Sequence, residues 1–330
     1  MRAASGDDHR GKQNDRYGQS KQKAKANAHA LRKNQLAWLT RLWLVWIAFS
    51  GAGLAFASVP GTQSAASLHA KYASLDERLH HNPFRRALAL DSAESSNDLK
   101  GDIYALVDYP FSTVSTALNS PDQWCDVLIL HINTKYCRAT TDEARSALTV
   151  YIGKKTPQPI KDAFPIEFTY RVAATTANYL EIRLDAQEGP LSTRNYHIQL
   201  QAVPVGNGQT FLHLTYSYAY GLAGRLAMKT YLATIGSGKV GFTRTGEQSS
   251  GQPEYIRGMR GVAERNTMRY YLAIDAYLDA LAKPPSMRIQ KRLHSWFSAT
   301  EQYPRQLREV SQSAYMDMKQ SEHRRQQTSQ

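Results

Sequence analysis

Residues suited to catalysis are present in the chain, but not at the spacings that catalytic motifs require. There is no Gly-x-Ser-x-Gly nucleophile motif and no His-Glu-x-x-His zinc motif. Residues 236–239 partly match a phosphate-binding loop, but Ala233 stands where the first glycine is needed and Val240 where Ser or Thr is needed. The motifs therefore predict no catalytic residues, no metal site and no cofactor.

Polar side chains suited to binding lie in segments whose apolar residues alternate. His197 and His213 alternate with apolar neighbours, so we expect them to face away from the core, toward solvent. Arg183 and Arg194 lie in the same predicted strands, and Arg265 lies on a predicted helix. These three arginines are the residues that could bind an acidic head group.

A strand-rich region with a long closing helix must position these side chains. The pattern predicts strands over 101–109, 127–136, 147–152, 166–174, 179–186, 194–203 and 210–220, with a helix over 111–124 after the first. Gly-Asn-Gly at 206–208 predicts a hairpin between the last two strands. A short helix over 222–235, a glycine-rich loop and a helix over 255–282 with one apolar stripe follow.

This order resembles the helix-grip fold of the START-like superfamily, which includes polyketide cyclases and lipid-transfer domains. The opening strand at 102–107, the helix ending near Trp124 and the closing helix carry the resemblance. It covers about residues 99–282 and is a likeness of topology. It implies an α+β fold, with a curved antiparallel sheet of about six to seven strands wrapped on a long C-terminal helix.

The resemblance also implies a ligand cavity between the sheet and the helix, because one helix cannot fill a strongly curved sheet. Tyrosines suit amphipathic ligands, since an apolar ring carries a polar hydroxyl. Ordinary core packing is the alternative for each aromatic residue. The candidate cavity residues are Phe168, Tyr170, Tyr216, Tyr218, Tyr220, Tyr270 and Tyr277.

The 330-residue chain carries a net charge of +13, and its N-terminal flank holds much of it. Residues 1–41 contain ten Lys or Arg and three Asp, a net charge of +7. A basic flank before an apolar run is typical of a translocation signal, so the charge does not predict nucleic-acid binding.

Residues 42–57 are uncharged, mostly apolar, and end in Ala-Phe-Ala. This pattern predicts a signal peptide cleaved between Ala57 and Ser58, and a retained membrane anchor is the alternative. The chain has no Asn-x-Ser/Thr sequon, which favours a bacterial periplasm or cell envelope over a glycosylating secretory pathway. An anchor would tether the protein to the inner membrane.

Cys125 and Cys137 are the two cysteines of the chain. In an exported protein they are expected to form a disulfide, worth ~3 kcal/mol in the chain-entropy model. His131 lies between them, and packing is the expected role of a single histidine in an apolar segment. No metal-ligand spacing accompanies the pair.

Flanking segments complete the predicted organisation. Residues 58–98 are a linker and leader, with a helix over 71–90 and a polar break after it. Residues 283–330 are a basic helical tail, with helices over 287–297 and 304–319 and a frayed end. Trp296 and Phe297 lie among its basic residues, which allows contact with an anionic membrane. A solvated helix packed loosely on the domain is the favoured interpretation, and membrane contact is the alternative.

Three functions are compatible with these patterns. The first is an exported domain that binds a hydrophobic or amphipathic, lipid-like small molecule in the cavity. The second is an enzyme of cyclase or hydrolase type on the same fold, with a cavity tyrosine or histidine as general acid or base. The third is a non-catalytic envelope interaction module whose cavity is filled by its own side chains.

Overall fold

A computed structural model describes residues 60–143, 145–233 and 238–328. They belong to one compact unit, Ser58–Gln330. The predicted signal segment and its cleavage site between Ala57 and Ser58 lie outside the described residues. Within the described ranges, no helix is long and apolar enough to cross a membrane.

Eight strands form one antiparallel sheet in the order β1-β2-β8-β7-β6-β5-β4-β3. The strands are β1 Leu88–Glu94, β2 Asp98–Val107, β3 Thr134–Thr141, β4 Ser146–Ile152, β5 Phe164–Thr175, β6 Leu180–Glu188, β7 Thr193–Val205 and β8 Gln209–Tyr220; β9 Arg244–Glu247 and β10 Pro253–Tyr255 form a separate hairpin. From β3 to β8, consecutive strands are neighbours, and β7 and β8 form the predicted hairpin. Register shifts in β3, β5 and β7 help to curve the sheet.

Nine α-helices lie among the described residues. They are α1 Pro60–Ser74, α2 Asp76–His80, α3 Phe111–Leu118, α4 Pro121–Leu128, α5 Leu222–Ala233, α6 Gly258–Asp279, α7 Pro285–Glu301, α8 Pro304–Leu307 and α9 Gln312–Thr328. The long helix α6 covers one face of the sheet, called here the inner face. It approaches β2 so closely that a Cβ atom at Gly101 would overlap Thr267 Oγ1. The predicted α+β fold, a curved antiparallel sheet with a long helix, is confirmed.

The segment after β2 differs from the prediction in two respects. Pro121 starts a second helix, so the single helix predicted over 111–124 is wrong. Trp124 lies inside α4, where its indole N–H donates to the Leu118 carbonyl at 2.8 Å. The strand predicted from 127 begins only at Thr134, because α4 and a turn occupy the residues before it.

The predicted disulfide is confirmed. Cys125 in α4 is bonded to Cys137 in β3, with Cα atoms 5.2 Å apart. The bridge closes a loop that contains the turn between the helix and the strand. It therefore fixes α4 against the edge of the sheet.

The leader also differs from the prediction. The helix predicted over 71–90 is wrong in its second half, where β1 pairs with β2 and brings the sheet to eight strands. The helix α1 packs on the side of the sheet opposite α6, called here the outer face. Leu68 and Tyr72 contact this face, and the Tyr72 ring lies 5.1 Å from that of Phe211.

The C-terminal helices are integral to the core, contrary to the loosely packed and frayed tail considered from the sequence. Trp296 and Phe297, the aromatic residues that suggested membrane contact, are both buried, and Trp296 stacks on Tyr315 at 4.9 Å. In α9, Glu322 is buried between the ammonium groups of Lys135 and Lys319. Helix α9 extends to Thr328.

Candidate functional site

A cavity of about 170 Å³ lies between the inner face of the sheet and α6. We call it the inner cavity. Its walls are mainly apolar and aromatic, and they come from β4, β5, β7, β8 and α6. Representative lining residues are Val150, Phe168, Tyr196, Ile198, Tyr216, Tyr218, Val262, Asn266 and Tyr270. A curved sheet closed by one helix thus leaves space, as the resemblance implied.

A second space of about 580 Å³ shares part of this lining and opens to the surface. We call it the mouth. Leu191, Met228 and Val262 line both spaces, whereas Leu128 and His131 line only the inner cavity. The inner cavity is therefore contiguous with the mouth. His131 lines the part of the inner cavity that the mouth does not share, called here its inner end.

His131 presents an unpaired hydrogen-bond donor at this inner end. The backbone N–H of Asn133 donates to His131 Nδ1 at 3.2 Å, so in the neutral ring Nε2 carries the hydrogen. Burial, reinforced by the charges of Arg269 and Lys319, lowers the pKa of His131 well below its ordinary value. Nε2 is buried without a hydrogen-bond partner among the described residues. The ring also stacks on Tyr270, at 4.8 Å between centroids.

Four tyrosines form an aromatic cluster along the cavity wall. The Tyr196 ring stacks on Tyr218 at 5.2 Å, and the Tyr216 ring lies 5.1 Å from Tyr270. Burial raises the pKa of Tyr196 to about 12 and also raises those of Tyr216, Tyr218 and Tyr270. At neutral pH these hydroxyls are protonated, so the wall carries polar but uncharged groups.

The mouth is basic. Lys154, Lys155, Arg265 and Arg269 line it, together with one acidic residue, Asp162. Glu309, outside the lining, accepts ion pairs from Lys155 and Arg269, each at 2.7 Å.

That carboxylate offsets only part of the positive charge. Burial opposes ionisation of Glu309, but the adjacent Arg269, Lys155 and Lys239 outweigh it and lower the pKa of Glu309. The carboxylate therefore stays charged, and basic groups still outnumber acidic ones at the opening.

The structure brings together five of the residues predicted from the sequence. Phe168, Tyr216, Tyr218 and Tyr270 line the inner cavity, and Arg265 lines the mouth. Arg265 is buried and donates to the Val240 carbonyl at 3.2 Å. Their role in binding remains a prediction.

The other predicted residues lie elsewhere. Tyr170, Tyr220 and Tyr277 are buried in the core but are not among the residues that line the cavity. Arg183 pairs with Glu181 on the outer face. Arg194, in β7, lies beside Gly221 and lines neither space.

Sequence reasoning did not assign most of the lining residues, and four of these are instructive. Tyr196 and Met228 lie in a predicted strand and a predicted helix, but neither was distinguished there from an ordinary core residue. His131 and Asn133 lie in the turn between α4 and β3, a stretch predicted as strand. The end of α4 at Leu128 was not recognised in the sequence, so the turn that follows it was not predicted. Among the described residues, no group of three or more His, Cys, Asp or Glu side chains could hold a metal ion.

No family model and no curated protein matches the chain. Similar solved structures include a norcoclaurine synthase point mutant from Thalictrum flavum, with 12% identity, 44% of this chain and 91% of that chain covered, and a TM-score of 0.31. Human StAR-related lipid transfer protein 5 has 8% identity, 52% and 89% coverage, and a TM-score of 0.28. The Zhui aromatase/cyclase from Streptomyces sp. R1128 has 10% identity, 42% and 86% coverage, and a TM-score of 0.31.

These likenesses concern fold alone and say nothing about a ligand or an activity. After β2 come two helices, six consecutive antiparallel strands and a long helix that packs on their inner face. This arrangement resembles the helix-grip fold expected from the sequence.

Proposed function

We propose that the protein binds a hydrophobic or amphipathic, lipid-like small molecule in the inner cavity, with a polar or anionic head group in the mouth. One observation carries this proposal: the apolar inner cavity is continuous with a basic opening. Apolar surface removed from water would supply most of the affinity, at ~25 cal/mol per Å². The charged groups at the opening would orient the ligand.

The size of the inner cavity limits what it accepts. Its 170 Å³ is close to the ~150 Å³ of an engineered apolar cavity that binds benzene. One ring or a short length of chain therefore fits inside, and the rest of a larger ligand would lie in the mouth.

His131 adds a preference for the buried part of the ligand. Its Nε2–H has no partner among the described residues, and leaving a buried donor unpaired costs about 1–3 kcal/mol. A carbonyl, ether or hydroxyl oxygen at the inner end of the ligand would accept this hydrogen bond. A ligand with such a group should bind more tightly than its hydrocarbon analogue.

The test is fluorescence titration of the full chain with cis-parinaric acid, a fluorescent fatty acid. Val262→Phe would place a ring in the inner cavity and should weaken binding about tenfold, equivalent to ~1.4 kcal/mol. Val205→Phe is the matched control, since Val205 is partly buried against the outer-face cluster. Failure of the wild type to bind, or equal weakening in both variants, would overturn the proposal.

A further inference from the structure

Exposed apolar side chains are concentrated beside the mouth. Among the described residues, Leu222 is 85% exposed, Leu226 66% and Leu191 62%. Leu191 lines the mouth itself, as does the partly exposed Phe164. We call Leu191, Leu222 and Leu226 the lip.

The three lip residues belong to two adjoining elements. Leu222 and Leu226 are four residues apart on α5, which places them on one helix face. Helix α5 packs against the turn that contains Leu191, and a Cβ atom at Gly224 would lie 3.0 Å from the Leu191 carbonyl oxygen. On the same helix, Met228 lines both the inner cavity and the mouth.

Folding does not explain the lip. Leu191 has a φ of 58°, in the left-handed region that disfavours a leucine side chain. Three leucines mostly exposed to water contribute little burial in return. Their arrangement therefore suits an apolar partner outside the protein.

Basic side chains accompany the lip and define the partner's charge. The sequence of α5 has no acidic residue and carries Arg225 and the exposed Lys229. Lys154 and Lys155 line the adjacent mouth. An apolar patch flanked by Lys and Arg matches the interface of an anionic bilayer, where leucines enter the acyl region and basic groups stay at the head groups. A second copy of this chain would present the same positive charge and be repelled.

We propose that the lip docks the protein on an anionic lipid membrane with the mouth facing the bilayer. A hydrophobic molecule could then pass between the membrane and the inner cavity without crossing open water. Docking concerns α5 and the Leu191 turn, not the C-terminal aromatic residues Trp296 and Phe297. It goes beyond the proposed function, since a cavity could bind its ligand from solution.

The first experiment measures insertion locally. Leu226→Cys and, as control, Met287→Cys are each labelled with an NBD fluorophore in the full chain. Met287 is 55% exposed on α7 and lies outside the mouth lining, and neither native cysteine is free to react. With phosphatidylcholine vesicles that contain phosphatidylglycerol, NBD emission should rise several-fold and shift to the blue at position 226 only.

The same vesicles test the charge and the alternatives. Raising the salt concentration or omitting phosphatidylglycerol should reduce the response at position 226. No response at 226, an equal response at 287, or full insertion into neutral vesicles would overturn the proposal. If the lip binds a protein partner instead of a bilayer, the label at position 226 should give no response to vesicles.

A second variant separates docking from ligand binding. Leu222→Ser combined with Leu226→Ser, assayed with a label at Leu191→Cys, should abolish the NBD response. The unlabelled Leu222→Ser, Leu226→Ser variant, with Leu191 intact, should bind cis-parinaric acid in vesicle-free solution as tightly as the wild type. If the wild type does not bind cis-parinaric acid, the proposed function is refuted but docking is not. If the NBD response is unchanged in the serine variant, docking alone is refuted.

Discussion

Buried polar side chains on the two sides of the sheet differ in how completely they are hydrogen-bonded. On the outer face, buried polar side chains are paired with one another. Asp102 accepts from Thr215 at 2.7 Å and lies 2.9 Å from His213 Nε2, and Glu181 accepts from Tyr179 at 2.6 Å. Beside the inner face, Tyr196 pairs with Thr193 at 2.7 Å, but His131 Nε2 has no partner among the described residues.

The contrast separates a stabilising network from the proposed binding site. Both faces bury polar atoms, and each side has a histidine: His213 on the outer face and His131 in the turn beside the inner cavity. His213 has a partner within hydrogen-bonding distance at each ring nitrogen, whereas His131 Nε2 has none among the described residues. A satisfied network needs no ligand, so the unsatisfied donor is the stronger indication of a site.

The largest expected effect comes from breaking the outer-face network. Glu181→Ala would leave Tyr179, Arg183 and Gln199 without the carboxylate that they now share. We expect a loss of about 2–3 kcal/mol in the free energy of unfolding, measured with urea. Binding of cis-parinaric acid by the folded variant should be unchanged.

The control for this variant is Glu167→Ala. Glu167 is exposed and paired with Arg145 at 3.2 Å, so its loss should cost less than about 1 kcal/mol. Equal destabilisation by the two substitutions would contradict the distinction between a buried network and a surface ion pair.

The second effect concerns the unpaired donor of the inner face. His131→Asn keeps an acceptor near the Nδ1 position but removes the Nε2–H. Wild type should bind propiophenone more tightly than propylbenzene, which has a similar shape without the carbonyl. In the variant this preference should fall by about fivefold, since one hydrogen bond is worth ~1 kcal/mol. Titration calorimetry measures both affinities, and an unchanged preference would exclude His131 as the donor.

The third effect is a pH dependence of stability. Burial and nearby positive charges lower the pKa of His131 in the folded state, so below about pH 6.5 the unfolded chain binds a proton that the folded chain does not. Stability should therefore fall as the pH drops from about 6.5 to 5, by at most ~1.4 kcal/mol per unit for one group.

His131→Asn should flatten this slope. His323, whose pKa is also lowered by burial, adds a smaller share, so His323→Gln provides the comparison. Urea unfolding at pH 7, 6 and 5 measures the slopes. A slope in His131→Asn as steep as in the wild type would contradict the assignment.

The smallest effect distinguishes the mouth from the outer face by charge. Lys154→Gln removes an exposed cation that lines the mouth. This change should weaken the binding of cis-parinaric acid about twofold. Arg183→Gln removes a cation paired with Glu181 on the outer face and should leave affinity unchanged. The reverse result would support the original prediction that Arg183 binds a head group.

The elements predicted correctly are those with a clear local pattern of apolar residues or turn residues. Strands β5 to β8 alternate clearly and are punctuated by Gly-Asn-Gly, and α6 carries a continuous apolar stripe. Strand β1 was not predicted, because Leu88–Glu94 contains Asp, Ser and Glu and is a strand only through its pairing with β2.

The site was predictable in its aromatic wall but not at its inner end. Phe168 and Tyr216 follow from alternation on the inner face, whereas His131 sits in a turn whose position depends on where α4 stops. The burial of the tail was equally hidden, since Glu322 meets Lys135 across 187 residues of chain. Such distant pairings leave no periodic trace in a sequence.

Helix α9 has a consequence for the order in which the protein is completed during synthesis. Tyr315 donates to the Leu130 carbonyl at 2.8 Å, and Lys319 donates to those of His131 and Thr134 at 3.2 and 2.6 Å. The turn that bears the inner donor is thus held by a segment translated after all eight strands of the main sheet. We expect a nascent chain to assemble its sheet on the ribosome well before it can hold a ligand, with binding competence arriving only when α9 emerges.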